Sequence, residues 1–140
     1  MTPDTFYRLA SPLIALQLVA FGWRINRELN LGYPDRGTFV LISDVLNIMS
    51  LFAAVICLIA LPIATDAYFW LSRMVFAGGY VLIAFHPFTV AAHYRLWSRE
   101  GMRKHVRDGK DHPYATAEEL VSSSLSVVLA VLAAAYIGTH

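Results

Sequence analysis

The sequence predicts an all-α fold: a four-transmembrane-helix membrane bundle with both termini on the non-cytoplasmic side. Three observations predict it. The chain alternates long apolar runs with short charged stretches. Its composition is too apolar for a water-facing surface: 57% of 140 residues are hydrophobic and 15% are charged, against about a quarter charged in ordinary soluble domains. Its basic residues gather in alternate connections between the runs. Mean hydropathy is +0.53, which a bilayer accommodates and bulk water does not.

The first run covers about residues 6–23, and the chain's first residues, Met1 to Tyr7, carry one acid, Asp4, and no basic cluster. No small-residue cleavage site follows it, so it reads as a retained helix rather than a signal peptide. The second run covers about 38–63 and is preceded by the turn-forming Tyr33, Pro34, Asp35, Arg36 and Gly37. Pro62 is expected to end it and to help form a tight hairpin into the third, about 68–92. Arg73 interrupts the start of that third run, so it begins either at Tyr68, with Arg73 snorkelling outward, or at Met74. The fourth run covers about 120–137, behind a Thr116–Glu119 capping box and Pro113. Each run reaches about 18 residues, enough at about 1.5 Å per residue to cross a ~30 Å hydrocarbon core. Trp23, Trp70 and Trp97 fall near the expected interfaces, as an aromatic belt requires. The absence of repeats makes residues 1–140 a single polytopic membrane domain.

Orientation follows from the basic residues. The first connection holds Arg24, Arg27 and Arg36, and the third holds Arg95, Arg99, Arg103, Lys104, Arg107 and Lys110. The opposite side holds only Arg8 and, depending on the third run's start, Arg73. The positive-inside rule then places both basic connections in the cytoplasm and both termini outside, with a bacterial inner membrane the default host. A net charge of +1 gives no reason to expect a nucleic-acid partner. Cys57 has no second cysteine to pair with and sits in an apolar run, which reads as a buried structural thiol.

The polar residues inside the runs are the candidate site. Counting from the nearest flanking charge, Gln17 is seven residues from Arg24, Asp44 eight from Arg36, His86 nine from Arg95 and Ser126 seven from Glu119. At 1.5 Å per residue each lies roughly 10–14 Å in, so four helices contribute a polar group to one layer in the cytoplasmic third. Asn47 and Ser43 share a helical face with Asp44. Two readings stay open. The layer is an ion, proton or substrate site with Asp44 and His86 as its titrating pair, since an ionisable group in hydrocarbon needs a partner, water or neutralisation. Alternatively it is an interhelical hydrogen-bond cluster that locks the bundle. The near-equal distances of Asp44 and His86 from the Pro62 hairpin put them at similar depth on antiparallel neighbours.

Other features carry weaker expectations. His86 and His93 are seven residues apart on one helical face, and Pro87 is expected to kink that helix by freeing the carbonyl of Ile83. Haem ligation within one chain would need imidazoles on facing helices, and the other runs contain none. His105, Asp108, Asp111 and His112 are metal-competent, but their spacing matches no metal-binding pattern. Neither a metal nor a cofactor is therefore expected, and this basic connection reads as a solvated loop able to touch anionic headgroups. In the fourth run Ser122, Ser126, Ala130, Ala134 and Gly138 recur at spacing four. This small-residue ridge suits close helix packing, either within the bundle or between subunits, with Gly78 and Gly79 as an opposing surface.

The chain has no phosphate-binding loop, paired-cysteine motif or nucleophile elbow, and no catalytic residue is assigned. The expectation is a small oligomeric channel- or transport-type protein using the polar layer. The alternatives are a non-catalytic accessory subunit of a larger membrane complex and a haem-binding membrane electron carrier. The expected partners are the lipid bilayer and either further copies of the chain or a membrane-complex partner.

Overall fold

The computed structural model describes residues 3–31, 41–65, 68–94 and 116–140. These residues form four long helices in sequence: α1 (Pro3–Leu31), α2 (Ile42–Ala64), α3 (Phe69–His93) and α4 (Ala117–Thr139). Each contains a segment long and apolar enough to cross a membrane, so the chain is a multi-pass integral membrane protein. Successive helices run in opposite directions. Phe6 and Phe69 stack at one end, whereas Arg24 and Asp44 meet at the other.

The helices are longer than the apolar runs, because a helix continues past the hydrocarbon as long as its residues tolerate it. α1 carries Arg24 and Arg27 a further turn and more beyond Trp23, and α4 begins at Ala117, directly after its cap. α3 starts at Phe69 and includes Arg73, which chooses between the two expected starts. It also continues through Pro87. The hydroxyl of Thr89, two residues on, donates to the carbonyl of His86 at 2.9 Å. The turn around Tyr33–Gly37 and the connection holding His105, Asp108, Asp111 and His112 lie outside the described residues.

Pro62 does not stop α2 as expected. It reshapes the helix ahead of itself. α2 is α-helical over Ile42–Val55, widens to a π-helical turn over Ile56–Ala60, and is α-helical again over Leu61–Ala64. A proline has no N–H, and its ring crowds the carbonyl four residues back, here Leu58. The widened turn accommodates this, and the N–H of Leu61 donates to Ile56, five residues back. The carbonyl of Cys57 then has no donor in its own helix, since Leu61 is already engaged and Pro62 offers none. The hydroxyl of Ser72 in α3 supplies one at 2.5 Å. The Cys57 side chain is buried and free of disulfide bonding.

The apolar core occupies the Phe6 end. Phe6, Ala10, Leu13, Ala54 and Leu58 are buried together, with Phe69, Phe76 and Tyr80 against them. Phe6 meets Phe69 edge-on at 5.2 Å and Phe76 at 4.9 Å between ring centroids, the offset geometry that aromatic quadrupoles prefer. The tandem glycines of α3 face different neighbours. A Cβ on Gly79 would come within 2.9 Å of Leu13, and one on Gly78 within 3.4 Å of the Ala130 carbonyl.

Candidate functional site: a buried ion cluster

The helices bring ionisable side chains together at the end opposite Phe6. Asp44 sits at the third position of α2, where its carboxylate accepts the N–H of Leu41 at 3.2 Å and so satisfies a donor orphaned at the helix start. Arg24 of α1 lies across from it, its Nε donating to Oδ1 at 3.3 Å and Oδ2 at 3.1 Å. His86 of α3 brings Nε2 to 3.4 Å from Oδ1. Arg24, Asp44 and His86 are 2%, 4% and 7% exposed, so three helices converge on one buried carboxylate. Arg24 also donates through Nη1 to the hydroxyl of Tyr94, at the end of α3.

A second pair stands beside the first. Glu119, fully buried, is held by the backbone of its own cap: its N–H donates to Thr116 Oγ1 at 3.0 Å, and that hydroxyl donates to the carbonyl of Ala92. A capping box would return the glutamate side chain to its own helix start. Here it crosses the bundle instead. Oε1 accepts the N–H of Ile42 at 2.9 Å, and Oε2 meets His93 Nδ1 at 2.7 Å. One carboxylate thus caps α2 from α4 and pairs with α3. Each histidine spends one ring nitrogen on a carboxylate from another helix. Among the described residues no three His, Cys, Asp or Glu side chains gather closely enough to hold a metal ion.

From Asp44 the polar groups continue inward between α1 and α2. Gln17, completely buried, donates through Nε2 to Ser50 Oγ at 2.8 Å, and Asn47 donates through Nδ2 to the backbone carbonyl of Gln17 at 3.0 Å. Each amide therefore places one N–H on a protein acceptor. Gln17 Oε1, Asn47 Oδ1 and Ser43 Oγ are buried with no protein partner. A buried acceptor without a partner costs about 1–3 kcal/mol, which a bridging water or a cation removes.

The sequence-derived layer divides accordingly. Asp44 and His86 touch. Gln17 and Asn47 join each other and Ser50 in the adjoining seam. Ser126 is buried but turns its hydroxyl to the carbonyl of Ser123 in its own helix, at 2.8 Å. The small-residue ridge faces α3 of the same chain: Ala130 and Ala134 lie against Gly78, and Gly138 lies against Met74. Ser122 bonds back to Glu119. Three members of the charged network were not singled out from sequence as site residues. Arg24 read as an interface marker, Glu119 as a cap and His93 only as a companion of His86. The available signal was Arg24 itself, a basic residue at the end of an apolar run whose long side chain can reach back toward a buried carboxylate such as Asp44.

A cavity of about 860 Å³ opens between α1 and α3 next to the cluster. His86 forms part of its wall, so one imidazole serves both cavity and cluster. Comparison with protein-family models, with curated proteins and with solved structures finds no match to this chain.

Proposed function

We propose that this chain is a small transport-type membrane protein that passes protons or a small cation along the seam between α1, α2 and α3, with Asp44 and His86 as the exchanging pair. The observation that carries this reading is the set of unpartnered acceptors, Gln17 Oε1, Asn47 Oδ1 and Ser43 Oγ, on the same helices as the Arg24–Asp44–His86 cluster. A purely structural clasp would satisfy its own oxygens. A row of unpaired acceptors beside an ionised group suits water or a cation in transit. Asp44 accepts or releases the mobile charge, Arg24 keeps its carboxylate compensated, and His86 relays a proton because its ring offers two nitrogens. The working form is an assembly, either of several copies or with a membrane-complex partner, since only 17–28% of each apolar span is buried within the chain.

The test is ion flux into vesicles containing the purified chain. An imposed potential should drive proton or cation entry, and Asp44→Asn and His86→Ala should each slow it at least tenfold while the protein stays helical and assembled. If wild type carries no flux, or both variants keep full rate, the transport reading fails. The accessory-subunit reading then becomes the better one. It draws on a different observation: Asp44 already has three protein partners, as a locking contact would.

The same reading orients the Asp44 end toward the cytoplasm, on the strength of the nine basic residues in the first and third connections. A cysteine at Thr139 should react with an impermeant thiol reagent outside intact cells, and one at Gly109 should not. The reverse pattern would invert the pathway.

A further inference from the structure

The cavity between α1 and α3 has a gradient of chemistry along its length. Leu16, Val19 and Ala20 form one wall, Ile83, Pro87 and Val90 the other. Both walls end in groups that suit a membrane interface, Trp23 and Arg27 on α1 and Tyr94 on α3. From Leu16 to Arg27, and from Ile83 to Tyr94, each wall advances eleven residues. That is roughly 16 Å at 1.5 Å per residue, about half of a ~30 Å hydrocarbon core. The slot therefore has the depth of one leaflet, and its volume lies within the ~300–1,000 Å³ typical of small-molecule sites.

Arg27 defines what the polar end can hold. Its guanidinium carbon stands 4.0 Å from the centroid of the Tyr94 ring and 6.0 Å from that of Trp23. Stacking occupies the face of the guanidinium and leaves its edge, with five N–H donors in a fixed fork, for an anion. Tyr94 is itself fixed, because its hydroxyl accepts from Arg24. The cation is thus preorganised at the mouth of an apolar slot, a charge pattern that complements an acid headgroup on a hydrocarbon chain. His86, whose Nε2 is turned to Asp44, contributes wall rather than recognition.

We infer that this slot is a binding site for an anionic lipid: one acyl chain lies between α1 and α3, and the phosphate of the headgroup is held by the edge of Arg27. The site shares the His86 wall with the proposed ion path but takes its headgroup at Arg27, and basic pockets between membrane helices on the cytoplasmic side commonly hold anionic headgroups.

Trp23 lines the slot and provides the probe. Trp70→Phe and Trp97→Phe leave it as the sole tryptophan of the full chain. The protein is placed in phosphatidylcholine vesicles with rising fractions of chain-brominated phosphatidylglycerol or chain-brominated phosphatidylcholine. Brominated phosphatidylglycerol should half-quench Trp23 at about a fivefold lower fraction than brominated phosphatidylcholine, the equivalent of about 1 kcal/mol for one basic side chain. Arg27→Gln should abolish that difference, and Arg27→Lys should keep most of it. Ala91→Phe, which fills the slot, should remove saturable quenching by either lipid and keeps the test decisive if Arg27→Gln does not fold. Equal quenching by the two headgroups would mean ordinary boundary lipid and overturn the site. So would a preference that survives Arg27→Gln, or one that millimolar inorganic phosphate erases. None of these outcomes depends on whether the chain transports ions.

Discussion

At the Phe6 end the bundle is held by rings and branched side chains, and at the Asp44 end by ions and hydrogen bonds. The first uses contacts that work at many rotations and heights, as the mixed edge-on and tilted geometries around Phe6 illustrate. The second admits few arrangements. Asp44 must face Arg24 and His86 at once, and Glu119 must reach both Ile42 and His93. In a bilayer, apolar contact with a neighbouring helix is little better than contact with lipid, so packing alone specifies weakly. The polar end therefore sets which helices are neighbours and at what register, and the apolar end fills the space that results.

The sharpest way to break this contrast is to remove one charge of the buried pair. Asp44→Ala removes the buried carboxylate that Arg24, His86 and the N–H of Leu41 share and should cost about 3–5 kcal/mol in reversible unfolding from detergent micelles. Replacing both partners, Arg24→Met with Asp44→Leu, should cost clearly less than Asp44→Ala alone, because the buried guanidinium is removed together with the carboxylate that faces it. Equal losses would show that the pair contributes contact area rather than electrostatics.

The next effect belongs to close packing. Gly79→Ala pushes a methyl group into Leu13 at 2.9 Å and Ser50 at 3.3 Å, and overpacking of this kind costs about 1–3 kcal/mol. At Gly78 the nearest atom would be 3.4 Å away. There the gain of about 0.5–1 kcal/mol in helix propensity should leave Gly78→Ala neutral or slightly stabilising. Thermal melts of the two variants in one detergent compare them directly. The reverse ranking would mean that the α3–α4 seam is the tighter one.

The smallest effect concerns the π-helical turn. Ser72→Ala strips the Cys57 carbonyl of its donor and should cost about 0.6 kcal/mol, a usual figure for an interhelical hydrogen bond in a membrane. In a Pro62→Ala background the same change should cost less, because the restored N–H lets α2 serve its own carbonyls. If Ser72→Ala costs the same in both backgrounds, the proline is not what exposes Cys57.

Four apolar runs were legible in the sequence because a bilayer requires them, and the depth of Asp44 and His86 could be counted because helical rise is constant. Rotation could not be counted, and it decides contacts. Gln17 and Ser126 were counted to the same layer as Asp44, yet Gln17 meets Asn47 and Ser50 further inward and Ser126 bonds within its own helix. Arg24 was misread for a related reason. A basic residue at the end of an apolar run resembles a headgroup anchor, and only the continuation of α1 to Leu31 draws it into the bundle. Glu119 matched a capping box in spacing, but the demand of an uncapped α2 start and of His93 outweighed the local bond. The π turn left no mark beyond Pro62, which signals an interruption without saying whether the helix stops or widens.

The ion pairs also follow a temporal order. Arg24–Asp44 joins α1 to α2, Asp44–His86 joins α2 to α3, and His93–Glu119 joins α3 to α4. Each of these pairs, formed among the described residues, links helices adjacent in the chain, and chains are made from the N-terminus forward. As each new helix enters the bilayer it meets its partner in the one that preceded it. Arg24 meets the Asp44 carboxylate once α2 arrives. The start of α2 waits for the last helix, because the N–H of Ile42 has its acceptor in Glu119, and so does the end of α3, where His93 pairs with Glu119 and the Ala92 carbonyl accepts from Thr116. Biosynthesis of this bundle can thus proceed helix by helix, with arrival of α4 as the step that closes it.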